Sequence, residues 1–186
     1  MENKLLDRVA RTFSVELPEA DSMDEYIDQI LPIIRPLSED LYETANYVDR
    51  PWLEFRDDLN FHKAILHFFN EGGEYLRSVD GDVQRGSWRF MESSNKFLIE
   101  QGGRTELYDL AFLDAQFFIL DKHGDQRRLG HRKYFVMVWE PAGRRLEWRN
   151  AMELLFQKYQ TNNRSYTLLA MFVLIIITLF LLYSVW

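Results

Sequence analysis

The sequence predicts an α+β fold: an antiparallel β-barrel or meander of about eight strands, preceded by helices and followed by a juxtamembrane helix and one C-terminal transmembrane helix. Three observations predict it. Short apolar runs punctuated by turn residues fill the middle of the chain, and a 3.6-residue period stands on either side of them. The last stretch, Tyr166 to Trp186, holds no charged residue, Pro or Gly. The expected units are an N-terminal helical region (1–50), a β-barrel (51–141), a juxtamembrane amphipathic helix (144–163) and a transmembrane helix (166–186).

In the N-terminal region Leu5, Leu6, Val9 and Phe13 recur at helical spacing, with Asp7, Arg8 and Arg11 opposite. Pro18 breaks this pattern, and Ser22-Met23-Asp24-Glu25 has the form of a capping box that satisfies free amides at a helix start. Met23, Tyr26, Ile27, Ile30, Leu31 and Ile34 give the second helix one apolar face until Pro32 and Pro36 disturb its hydrogen-bond ladder. Ser38 is placed to cap a third helical piece, which Leu41 and Ala45 carry toward Arg50-Pro51. The acids Asp24, Glu25, Asp28, Glu39, Asp40 and Glu43 read as the solvated side of these helices.

From Trp52 the runs WLEF, KAILHFF, EYLRSV, SWRFM, KFLIE, TELYDLAF, AQFFILD and KYFVMVWE are separated by Gly-, Asp- and Asn-containing turns, the pattern of consecutive antiparallel strands. Trp88 and Phe90 alternate with Ser87 and Arg89, so that strand has one wet face. KAILHFF and YFVMVW are apolar on both faces, and the N-terminal helices are the natural cover for the outer one. An eight-stranded barrel has room for its own side chains or for one small ligand. If Trp88, Phe90, Phe118, Phe135 and Trp139 all point inward, their bulk is expected to fill the lumen, and the ligand reading then loses most of its support.

The run FNEGGEYLRSVDGDVQRGSWRFMESSNKFLI resembles the small bacterial lipocalin-like domains, through Phe69, Gly73, Tyr75, Gly81, Gly86, Trp88, Leu98 and Ile99. The following LYDLAFLDAQFFILD is similar to that family's paired strands, so the resemblance covers about Trp52 to Glu140. It implies a small barrel with no fixed catalytic residues.

After Pro141-Ala142-Gly143 the helical period returns, with Trp148, Ala151, Met152, Leu155, Phe156 and Tyr159 on one face. Trp148, Met152, Leu155, Phe156 and Tyr159 form the candidate partner face, free to dock in cis, on a partner helix or on lipid. Tyr166 to Trp186 would make a helix about 31 Å long, enough for the ~30 Å hydrocarbon core of a bilayer. Tyr166, Tyr183 and Trp186 sit at its ends as interfacial anchors. A basic collar of Arg144, Arg145, Arg149, Lys158 and Arg164 precedes it. Basic residues stay on the cytoplasmic side, so a tail-anchored, single-pass protein of the cytoplasmic (inner) membrane is expected, N-terminus in the cytoplasm. Met1 to Phe13 lacks the apolar core of a secretory signal, and the chain has no cysteine.

With 29 acidic against 22 basic residues the net charge is -7, which argues against nucleic acid as a partner. No HExxH, P-loop, Rossmann glycine pattern or nucleophile elbow occurs, and His62, His67, His123 and His131 lack metal-ligand spacing. No cofactor, metal or catalytic residue is expected. The sequence therefore predicts a non-enzymatic, cytoplasm-facing barrel serving as an accessory or regulatory subunit of a membrane protein assembly, with the bilayer and other membrane subunits as partners. The alternative is a barrel that binds a small apolar ligand or lipid.

Overall fold

The structure, a computed structural model, describes residues 19–58, 63–91, 94–123, 132–159 and 171–176. The unit Pro18–Glu153 holds every described strand, and residues from Leu154 onward belong to a second unit. All eight expected strands form: β1 Pro51–Phe55, β2 Ile65–Phe69, β3 Glu74–Val79, β4 Asp82–Met91, β5 Lys96–Gln101, β6 Arg104–Leu113, β7 Phe117–Lys122 and β8 Tyr134–Trp139. Each pairs antiparallel with its neighbour in sequence, and β8 returns to β1, so the sheet closes into an up-and-down barrel.

Turn chemistry fixes the register. Between β3 and β4 lie only Asp80 and Gly81, both at positive φ (50° and 93°), and between β5 and β6 only Gly102 and Gly103 (58° and 76°). Two-residue turns with both central residues left-handed match the twist of the flanking strands. A slip of one residue there would turn the buried side chains out to water.

Helix α1 (Met23–Ile34) begins at the expected cap, the Ser22 hydroxyl accepting from the Glu25 amide at 3.2 Å, while the Glu25 carboxylate accepts from the Asp21 amide at 3.2 Å, one residue before the cap. Met23, Tyr26, Ile27, Ile30 and Ile34 are buried. The outward side chains of β6 to β8, among them Phe112, Phe117, Ile119, Val136 and Val138, are buried too, and α1 lies against the barrel there. This is the cover that the doubly apolar β8 requires.

Two of the acids read as solvated also act as clamps, Asp24 half-buried and Asp28 exposed. The Asp24 carboxylate accepts from the backbone amides of Lys133 (2.7 Å) and Tyr134 (3.2 Å), and Asp28 accepts from the Tyr134 hydroxyl (2.6 Å) while pairing with the Lys133 ammonium. Their partners lie over a hundred residues along the chain, beyond any local pattern. Asp24→Ala leaves two amides at the start of β8 without an acceptor and is expected to destabilise the protein by about 1–3 kcal/mol in urea titration. A loss below about 0.5 kcal/mol would show that water replaces the carboxylate at no cost.

The expected third helix does not form. After α1 the chain makes 3-10 turns at Arg35–Leu37 and Thr44–Asn46. Tertiary hydrogen bonds take over the polar groups that a helix would use: the Ser38 hydroxyl accepts from the Leu113 amide (2.9 Å), the Glu39 amide donates to the Leu113 carbonyl (2.9 Å), and the Leu41 amide donates to the Asn95 side chain (3.2 Å).

A helix does form over 148–159. The expected membrane span lies outside the described residues except for 171–176, as do Arg164, Tyr166, Tyr183 and Trp186. Residues 171–176 are helical, with all six apolar side chains exposed. Among the described residues no helix is long and apolar enough to cross a membrane.

Candidate functional site

Residues paired across antiparallel strands share a face. Trp52 pairs with His67 and Trp139, His67 with Arg77, Tyr75 with Gly86, Trp88 with Ile99, Ile99 with Glu106, and Tyr108 with Lys122. This set faces the lumen. Along the odd strands the inward positions run from apolar to polar: Trp52 to Glu54, Tyr75 to Arg77, Phe97 through Ile99 to Gln101, and Leu120 to Lys122. On the even strands the order reverses, His67 to Phe69 in β2 and Arg104 through Glu106 and Tyr108 to Leu110 in β6. Because neighbouring strands are antiparallel, the reversal gathers the apolar groups at one end of the barrel and the polar groups at the other.

The apolar end is packed. Trp88 and Phe118 are buried in one cluster with Trp52, Phe69 and Phe97, and Phe90, Phe135 and Trp139 pack half-buried against it. All five rings singled out from the sequence thus lie at inward register positions, but they fill only one end of the lumen and leave a cavity at the other, contrary to the expectation that their bulk would fill it. Tyr47, from the turn before β1, enters this cluster, its ring centroid 5.6 Å from Trp88, 5.8 Å from Phe97 and 5.3 Å from Phe118. The polar tips are satisfied: the Tyr47 hydroxyl donates to the Leu41 carbonyl, Trp52 Nε1 to the Tyr47 carbonyl and Trp88 Nε1 to the Asn70 carbonyl, each at 2.9 Å. Such hydrogen bonds let large rings be buried without a desolvation penalty.

The polar end holds a cavity of about 290 Å³. His67 lines it, 2% exposed, with Nε2 3.1 Å from Glu54 and Nδ1 2.6 Å from the Tyr75 hydroxyl. Burial opposes charge on Glu54, but hydrogen bonds from His67 and Arg56 outweigh it and hold the carboxyl at about 2. An ionised Glu54 needs a donor, which assigns the proton of neutral His67 to Nε2. Nδ1 then accepts, and the Tyr75 hydroxyl donates to it. Burial raises Tyr75, keeping that hydroxyl protonated. Glu54 also pairs with Arg56 (2.6 Å) and Arg132 (3.6 Å), and Tyr108 donates to Glu106.

The network makes stability pH-dependent with a definite sign. Glu54 titrates near 2 when folded and near 4.5 when unfolded, so its contribution, about 3 kcal/mol, is complete above pH 4.5 and lost as pH falls from 4.5 toward 2. His67 is lowered from 6.5 by burial, so the unfolded chain takes up its proton first and stability begins to fall below pH 6.5. Urea midpoints should therefore decline from about pH 6.5 downward, most steeply below 4.5. A flat profile from pH 7 to 4 would contradict the assignment.

Among the described lining residues, Arg56, Arg77, Arg104, Lys122 and Arg132 stand against two carboxylates, Glu54 and Glu106. The lumen is cationic inside an acidic protein. Sequence reasoning missed this site, though the signal was there: charged residues at inward positions, with an order that reverses from strand to strand. Of the histidines, His67 joins this network and His123 pairs with Asp109 at 2.8 Å, while His62 and His131 lie outside the described residues. Among the described residues, no group of His, Asp and Glu side chains is placed to hold a metal ion.

Of the candidate partner face, Met152, Leu155, Phe156 and Tyr159 are buried and Trp148 is half-buried. Arg144, Arg145, Arg149 and Lys158 are exposed, and the Arg149 guanidinium donates to the Ala20 carbonyl at 2.9 Å. The collar and the cavity are thus built from separate residues.

Closed up-and-down topology, a packed aromatic end and a polar cavity at the other define a small antiparallel β-barrel, consistent with the lipocalin-like architecture. No protein-family model, curated protein or solved structure matches the chain.

Proposed function

We propose that this chain is a non-enzymatic binding module, a barrel that carries one small polar ligand at the polar end of its lumen and is tethered to a membrane by the stretch Tyr166 to Trp186. The observation that supports binding is the division of the lumen: rings pack one end, and the other keeps a cavity of about 290 Å³ lined by polar side chains. That volume is at the small end of ligand pockets. An apolar ligand or lipid, the alternative from the sequence, finds the apolar half already occupied by the chain's own rings. The full-length protein, purified in mild detergent from its native membrane and then denatured, should release a small polar molecule in near-equimolar amount. An extract holding only lipid and detergent would overturn the reading.

The second reading, an accessory subunit of a membrane assembly, draws on the same apolar stretch: the exposed side chains of Met171 to Ile176 would pack against a neighbouring transmembrane helix as well as against lipid. Purification at endogenous level should then recover a defined companion protein. Recovery as a bare monomer counts against it.

A further inference from the structure

The charge of the cavity carries the binding reading further, to a class of ligand. Arg77, Arg104 and Lys122 line it and have no ion-pair partner among the described residues. Glu54 is paired with His67, Arg56 and Arg132, and Glu106 accepts from the Tyr108 hydroxyl while its charge favours Lys122, so the two carboxylates leave the five lining cations in excess. The Gln101 amide nitrogen, on a side chain of the same lining, is buried with no hydrogen-bond partner among the described residues. Arg104, exposed, and Arg77 and Lys122, half-buried, meet the orphan Gln101 donor on one small cavity, although the chain as a whole carries a net charge of -7. Like charges repel and buried donors need acceptors, so the arrangement is unfavourable when empty and favourable around oxyanions. Resting on the binding-module reading, we propose that this cavity takes a small organic anion, a carboxylate or a phosphate monoester, held by Arg77, Arg104 and Lys122, with its apolar part against Ile99 and Phe135.

The chemistry fits these residue types. Guanidinium groups grip carboxylate and phosphate through two parallel hydrogen bonds, and an ammonium supplies a compact charge beside them. Burial lowers Lys122 from its ordinary value, and an anion beside it opposes that shift. Ile99 and Phe135 give the lining its apolar side.

Calorimetric titration of the full-length protein in a mild nonionic detergent separates charge from shape, using four probes of similar size: phenyl phosphate, benzoate, benzyl alcohol and benzylamine. At least one anion should bind about tenfold or more tightly than benzyl alcohol, and benzylamine should not bind. Whichever anion binds more tightly distinguishes phosphate from carboxylate as the preferred group. Arg77→Gln and Arg104→Gln should each weaken that binding about tenfold or more, with thermal midpoints no lower than the parent's. Benzyl alcohol or benzylamine binding as tightly as the anions overturns the anion inference and leaves the binding module standing. Silence from all four probes while the native extract yields a small molecule also overturns this inference alone. Silence together with an empty extract overturns both.

Discussion

Glu54→Ala should cost about 3–5 kcal/mol at neutral pH, the range found when one partner of a buried charge network is removed. The carboxylate is 7% exposed and receives His67 Nε2, Arg56 and Arg132. Without it the imidazole N–H has no acceptor and two guanidinium groups face each other across a partly enclosed space. Glu54→Gln keeps an acceptor for His67 and loses only the charge, so it should fall between parent and alanine. Urea titration reads both. An alanine variant within about 1 kcal/mol of the parent would mean that water replaces Glu54 and that the network stabilises nothing.

Gly86→Ala is the second large effect, expected to exceed about 3 kcal/mol, above the usual range for overpacking. A Cβ there would lie 2.3 Å from the Glu100 carbonyl oxygen and 3.0 Å from Tyr75 Cδ1. The nearer atom is backbone, so no side-chain rotation relieves the contact. The β4–β5 ladder, where Gly86 pairs with Gln101, must part or bend. Removing the Tyr75 ring in the same chain should therefore rescue little. Amide exchange along Lys96–Gln101 should accelerate in the variant, and an unchanged exchange pattern would contradict the close approach.

The strands were legible because alternation and turn residues are local signals. Asp80-Gly81 and Gly102-Gly103 mark hairpins on sight, and the inward parity of Trp88 and Phe118 follows once the strands are placed. The capping box at Ser22 was equally local. What the sequence hid depends on closure of the barrel. Glu54, His67 and Tyr75 lie on three strands and become one network only through register, since Trp52 pairs with His67 and Phe69 with Tyr75. Asp24 looks like any solvated helix acid until β8 brings two free amides to it. The third helix failed for the same reason, because Leu113 and Asn95 offer the 38–41 segment hydrogen bonds that helical periodicity cannot anticipate.

The central claim, that the polar end of the lumen is a ligand site, is tested most directly by isoleucine methyl spectra of the full-length protein titrated with phenyl phosphate. Ile99 lines the cavity, whereas Ile27 and Ile30 lie on α1, outside the barrel. The account predicts a saturable shift of the Ile99 methyl resonance, with Ile27 and Ile30 unmoved and the titration midpoint raised about tenfold or more in Arg104→Gln. A shift confined to the α1 isoleucines, or a silent Ile99 at probe concentrations where calorimetry records binding, would place the ligand elsewhere and contradict it.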